Sequence, residues 1–255
     1  MASPLYKLAE DAALRSRPGV EKHTLILLDQ GNDALLARLH MIESAKRSIE
    51  LQVFIFDVDE AGTLVLDALI RAARRGVKVR LLLDQLYGLP DPRLQARLAA
   101  LHENFELKLY RPMFNQSQTN NAEFFASIVF AYNALNSRMH TKLLLVDDKM
   151  AVIGGRNIQD RYFDWGQAYN YRDRDVWVAG PVTTKMAENF NAFWSSERSI
   201  PAVQLDDVAL ELSNAAAHPE RLDLPAQAYS ERMQAMNSMA GDGTRVLQEL
   251  RPYMN

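Results

Sequence analysis

Apolar positions in the first half of the chain switch between short unbroken runs and faces that repeat every third or fourth residue, which predicts strands and amphipathic helices in alternation. Thr24 to Leu28, Ile49 to Phe56, Val77 to Asp84 and Phe105 to Tyr110 read as strands. Between them, Ala34 to Lys46 sets Leu35, Leu36, Leu39 and Ile42 on one helical face, and Gly31-Asn32-Asp33 reads as its cap. Gly62 to Arg75 is a second helix, closed by Gly76 in the left-handed conformation, and Pro92 to His102 a third. This alternation predicts an α/β fold, a sheet with helices packed on both faces.

The pattern resumes after Arg138. Leu143 to Val146 and Met150 to Ile153 read as two strands joined by a tight turn at Asp148-Lys149, and Gly154-Gly155 as a sharp turn into a helix starting near Asn157. A polar-aromatic loop, Trp165 to Tyr171, leads through Arg172-Asp173-Arg174-Asp175 into the strand Val176 to Ala179. Gly180-Pro181 then opens a helix through Trp194 whose Phe190, Phe193 and Trp194 pack on the sheet. The two ends read differently. Tyr6 to Ser16 is a short amphipathic helix stopped by Pro18-Gly19. Beyond Ile200 no strand-like run occurs; Val208 to Ala217 and Ala226 to Met239 read as helices separated by His218-Pro219, followed by Thr244 to Leu250. The expected organisation is therefore an extension (1–23), an α/β domain (24–199) and a helical, connector-like tail (200–255).

One block fits none of these. After a polar stretch from Asn115 to Asn121, Phe124 to Leu135 is strongly apolar with three phenylalanines. It is too short to span a bilayer and reads as a core helix, or as a segment at an active-site mouth that touches acyl chains.

Composition narrows the function classes. At 255 residues and 48% hydrophobic, the chain can bury a substantial core. A net charge of −3 argues against non-specific attachment to nucleic acid. The absence of cysteine excludes disulfides, thiolate metal sites and a cysteine nucleophile, and fits a reducing compartment. No apolar run reaches the roughly twenty residues of a membrane-spanning helix. Charges stand where a signal peptide would carry its apolar core, so the expected location is cytoplasmic or peripheral to the inner membrane.

The chemistry concentrates in Met139 to Asn157. His140, Lys142 and Asp147 form His-x-Lys-x4-Asp, and Gly154-Gly155-Arg156-Asn157 follows. Residues two apart on a strand share a face, so His140 and Lys142 would project together. A neutral imidazole can attack phosphorus and form a covalent phosphoenzyme. Lys142 and the Asn157 amide could hold the non-bridging oxygens, and a helix start behind two glycines would add backbone donors for an anion. Nothing in this set demands a metal or cofactor.

This stretch resembles the HKD motif of the phospholipase D superfamily, His-x-Lys-x4-Asp-x6-Gly-[Gly/Ser]-x-Asn. Within that superfamily, Met139-His140-x-Lys142, Gly154-Gly155-Arg156-Asn157-Ile158 and Tyr162-Phe163 are most similar to the bacterial cardiolipin synthase branch. The stretches SIELQVFIFDVDEAG and ARRGVKVRLLLDQ also match the family pattern, with Arg80 and Asp84 read as a scaffold pair. The resemblance runs from about Gly31 to Glu197. It implies a phospholipase D-like mixed sheet and metal-independent, two-step phosphodiester exchange through a phosphohistidine. His140 would be the nucleophile, Lys142, Gly155 and Asn157 the phosphate binders, and Asp147 a residue ordering the strand end. An acidic residue at the later strand start, Asp173 with Asp175 in reserve, would hydrogen-bond the second nitrogen of His140 and fix its tautomer.

The family builds its site from two such motifs, one histidine attacking and the other protonating the leaving oxygen. This chain has one: His23, His40, His102 and His218 are not followed by lysine two residues on. The expectation is an N-terminal half separated from its partner half, with a homodimer as the alternative. The implied substrate is a phospholipid met at a membrane surface, in cardiolipin synthase-type phosphatidyl transfer or hydrolysis. A homodimeric family endonuclease and a non-catalytic phosphate-binding module are the rival readings.

Overall fold

The computed structural model describes residues 3–17, 19–89, 91–118, 138–217 and 228–253. Among these, the strands form one eight-stranded mixed sheet in the order β1-β7-β6-β5-β2-β3-β4-β8. The strands are β1 (Thr24–Leu28), β2 (Ser48–Phe56), β3 (Lys78–Gly88), β4 (Phe105–Tyr110), β5 (Leu143–Val146), β6 (Met150–Gly154), β7 (Asp175–Ala179) and β8 (Ser199–Pro201). β2, β3 and β4 run parallel, which requires the crossover helices α3 (Glu60–Arg74) and α4 (Pro92–Ala99) between them. β5, β6, β7 and β1 continue the sheet antiparallel. The carboxyl ends of β2, β3, β4 and β6 and the amino ends of β5 and β7 thus meet at one edge, where the motif lies.

Helices cover both faces, as the alternation of the sequence predicts. One face packs against α1 (Pro4–Arg15), α2 (Gly31–Ser44), α3 and α4, and the main apolar cluster there includes Leu35, Leu39, Leu51, Leu64, Leu69, Leu81 and Trp177. Each such side chain taken fully from water contributes about 1.5–3 kcal/mol. The later helices α6 (Asp206–Ala217), α7 (Glu231–Gly241) and α8 (Gly243–Leu250) send Val208, Met233, Met236, Val246 and Leu250 into the same cluster. The opposite face carries α5 (Val182–Trp194), with Phe190 and Trp194 over Leu82, Leu143 and Leu145.

Five local expectations change. α2 is not capped by its own Asn32 or Asp33: Gln30 occupies the cap without a side-chain bond, and Asp164 reaches in from the later loop to accept from Gly31 N–H at 2.6 Å. Only tertiary structure could supply that cap. β3 continues past Asp84 to Gly88 through an irregular pairing with β2, and α4 stops at Ala99. Ser199–Pro201 adds a short edge strand against β4, where a proline is tolerated because its outer side needs no ladder bond. Arg80 and Asp84 do not pair. Arg80 meets Glu50 at 2.9 Å and Asn191 at 2.8 Å, whereas Asp84 meets Arg138. The apolar block Phe124 to Leu135, the last three residues of the preceding polar stretch and the His218-Pro219 break lie outside the described residues.

Candidate active site

His140 stands just before β5, exposed at the motif edge of the sheet, with its ring centroid 5.1 Å from that of Phe54 near the end of β2. Among the described residues, no hydrogen bond reaches its ring. Lys142 is buried beside it, at 4% exposure; its ammonium donates to the His140 carbonyl at 2.7 Å and lies 5.6 Å from the Phe54 ring centroid. Burial lowers the Lys142 pKa, and the Asp173 carboxylate opposes that shift. A lysine so placed gains from an arriving phosphate the anion that its surroundings only partly provide. One of its three donors is used, leaving two for a substrate oxygen.

Asn157 is also buried, and its Oδ1 accepts from Ile55 N–H at 3.0 Å, so the end free to donate to phosphate is the amide nitrogen. No α-helix begins here. Ile158 pairs in parallel with the end of β2, through Ile158 N–H to Ile55 O at 3.1 Å and Asp57 N–H to Ile158 O at 2.9 Å. Extended pairing excludes helical dihedrals, and only one 3-10 turn follows, at Asp160–Tyr162. The anion cradle expected from a helix start is therefore absent from 155–174.

The two glycines serve a different purpose from the one the sequence suggested. A Cβ on Gly155 would fall 2.1 Å from Asp173 Oδ1, and one on Gly154 would fall 2.0 Å from Asp175 Oδ1. Both positions clear space for a carboxylate arriving from β7. Gly155 N–H already donates to Arg174 O at 3.2 Å, so it is engaged in the backbone and not open to phosphate.

The acidic residues separate by environment. Asp175 is buried between Arg38 at 2.9 Å and Arg156 at 3.4 Å, a closed ion cluster with no capacity left for His140. Asp173 is half-buried over Gly155 and accepts only from Arg174 N–H, at 2.8 Å; it makes no bond to His140 in this state. Asp147 lies at the other end of β5, and at about 3.3 Å per residue roughly 20 Å separates it from His140. It is fully buried and accepts from Tyr6 Oη (2.9 Å) and from the N–H groups of Lys46 (2.9 Å), Arg47 (2.7 Å) and Ser48 (2.8 Å). Its place is in the scaffold.

Phe54 was not singled out by sequence, although its position two and four residues beyond Gln52 and Glu50 marks it as a member of the strand face that turns polar near the site. Tyr87, half exposed, meets Phe54 edge-on at 5.2 Å and extends this aromatic floor.

Comparison with known proteins gives the family and the fold. The family described as cardiolipin synthase, PLD-like domain matches residues 39–194. The chain belongs to the phospholipase D-like family. It is 33% identical over 219 residues to cardiolipin synthase C of Escherichia coli, covering 82% of this chain and 42% of that protein. Cardiolipin synthase 1 of Bacillus anthracis is 31% identical over 69% of the chain and 32% of its own length. The chain thus spans about a third to two fifths of these curated relatives. Among solved structures, phosphatidylserine synthase from Haemophilus influenzae superposes with a TM-score of 0.55 at 17% identity, covering 81% of this chain and 45% of that one. NucT from Helicobacter pylori superposes with a TM-score of 0.51, also at 17% identity, covering 71% and 98%. These two share the fold. No helix among the described residues is long and apolar enough to cross a membrane.

Proposed function

We propose that this chain is one half of a phospholipase D-like enzyme that moves phosphatidyl groups between phospholipid alcohols, or to water, through a phosphohistidine on His140. The observation that carries this reading is the convergence of an exposed imidazole with a buried, under-compensated lysine and an asparagine amide at one sheet edge, in a chain of this family. In the first step a ring nitrogen of His140 attacks phosphorus, and the donor's alcohol oxygen leaves with a proton. In the second, an acceptor hydroxyl attacks, its proton departs and the phosphorus–nitrogen bond breaks. Lys142 and Asn157 hold the non-bridging oxygens as charge grows on them. Asp173, tied only to its neighbour's N–H, is the carboxylate able to turn towards the imidazole and fix its tautomer. The proton for the leaving oxygen comes from a second histidine motif, carried by the other half or by a second copy. The site works at a phospholipid surface.

The test is phosphatidylglycerol vesicles incubated with the chain, alone and with a second motif-bearing half, followed for cardiolipin and phosphatidic acid. Turnover, with acid-labile phosphate trapped on the wild type and absent from His140→Ala, is the expected outcome. Cleavage of DNA with no lipid turnover would make the protein a nuclease, and ligand binding retained by His140→Ala without turnover would make it a binding module.

A further inference from the structure

The nucleophile's ring is unrestrained by hydrogen bonds, so the segment carrying it must be fixed in another way. Residues 138 to 142 precede β5, and among the described residues the one backbone-to-backbone bond that ties them to a neighbouring strand is the long contact from Gly154 N–H to Lys142 O, at 3.4 Å. Their anchor comes from an irregularity in β3. The parallel pairing of β2 and β3 runs in register to Val53 and Leu83, then resumes at Ile55 and Tyr87. Phe54 alone therefore opposes Asp84, Gln85 and Leu86. A bulge of this kind re-aims a side chain and interrupts the ladder.

Here it aims Asp84. The carboxylate is fully buried and accepts from Met139 N–H at 3.0 Å through Oδ2 and from Leu86 N–H at 3.0 Å through Oδ1. Met139 is the residue directly before His140, and its side chain is buried with Leu82, Tyr110 and Leu143. The single residue that β2 contributes opposite the bulge is Phe54, whose ring lies against His140. One irregularity thus sets both the backbone before the nucleophile and the aromatic surface beside its ring.

We infer that Asp84 is a positioning residue for His140, holding the nucleophile's backbone through Met139 N–H; this rests on His140 being the nucleophile. An ordinary structural ion pair with Arg138 is a weaker account of the same carboxylate. Arg138 reaches it with one nitrogen only, at 3.4 Å, while its Nε and Nη2 have no partner among the described residues. Pairs formed for their own stability are commonly bidentate, at about 2.7–2.9 Å. The tighter bonds of Asp84 are to backbone.

Two variants separate positioning from stability. Asp84→Asn keeps the shape but puts an amide where only acceptors fit. Asp84→Leu/Arg138→Met removes both charges together, which restores stability when a buried pair is merely structural. The chain is labelled with ¹⁵N-histidine, and the His140 ring resonances and their pH titration are followed beside thermal unfolding. Turnover is measured with the second half present. We expect both variants to move the His140 signals and to lose about tenfold to a hundredfold in kcat with KM within about twofold. The double variant does so while still unfolding cooperatively, at a lower denaturant midpoint because Met139 and Leu86 N–H lose their acceptor. Wild-type His140 signals and kcat in a stably folded double variant would overturn the inference. If the wild type turns over no phosphodiester but the ring signals still move, positioning stands and the functional reading falls. Normal wild-type turnover that neither variant alters would leave the reading standing and sink the positioning.

Discussion

The two ends of β5 hold their motif residues in opposite ways. At one end Asp147 accepts from a tyrosine hydroxyl and three successive backbone N–H groups, with φ at 54° in the turn to β6. At the other, His140 is exposed, no hydrogen bond reaches its ring among the described residues, and one aromatic ring lies beside it. A saturated group can only hold the fold together, whereas a reactive group must keep lone pairs unspent. On the proposed reading, the motif therefore joins a structural anchor to a reactive group through one strand, and sequence spacing alone gives them equal weight.

The largest expected effect breaks that comparison directly. Asp147→Ala leaves Tyr6 Oη and the N–H groups of Lys46, Arg47 and Ser48 without their acceptor and removes one link from α1 to the sheet. Unsatisfied buried donors of this kind put the loss at about 3–5 kcal/mol, read from urea denaturation. His140→Ala should shift stability by less than about 0.5 kcal/mol while abolishing turnover. Similar stability for the two variants would end the distinction.

The carboxylates behind the glycines repeat the contrast one strand further on. Asp175→Asn leaves Arg38 and Arg156 in the core with only a neutral partner, a loss of about 3 kcal/mol. Gly154→Ala drives a methyl into Asp175 and the backbone of β7 and should lose about 2 kcal/mol. Gly155→Ala meets first the half-buried Asp173 carboxylate, which can swing aside. It should unfold near the wild-type denaturant midpoint yet lose turnover as Asp173 leaves Lys142. Equal destabilisation by the two alanines would show that both carboxylates are structural.

Much of this was legible beforehand, and the gaps share a cause. The strands β2, β4, β5 and β6, the helices flanking them, and the placing of His140, Lys142 and Asn157 at one edge follow from local periodicity and the motif. What sequence missed depends on contacts far along the chain. The helix expected at Asn157 gives way to pairing between Ile158 and β2, about a hundred residues away in sequence. Gly154-Gly155 carries a turn signal in any sequence, and only the approach of β7 shows that it clears room for two carboxylates. Asp173 and Asp175 are alike in sequence, and only Arg38 and Arg156 show which of them is neutralised. Asp84 has the same history: the sequence reads it only as a scaffold partner of Arg80, and the bulge alone turns it towards Met139.

A third acidic position lies between the saturated and the open. Asp59 caps α3 through Gly62 N–H at 3.0 Å and also accepts from Asp160 N–H at 2.6 Å, tying the loop after Asn157 to the helix. Burial pushes its pKa up to about 6, the charges of Asp160 and Asp57 add to the rise, and the two N–H donors oppose it. A carboxyl that holds its proton more tightly when folded makes the native state bind more protons than the unfolded chain between about pH 4 and 6. Stability should therefore fall as pH rises through that window, the reverse of a salt-bridged aspartate, and level off above it. The effect is the smallest of those expected here, because Asp59 is only partly buried and solvent screens it. Denaturant midpoints at pH 4, 5, 6 and 7 for the wild type and Asp59→Asn provide the check, with the wild-type slope flattening in the variant. An unchanged slope would place Asp59 with Asp147, its charge satisfied by its donors, and would mean that the loop behind Asn157 is held as firmly as the far end of β5.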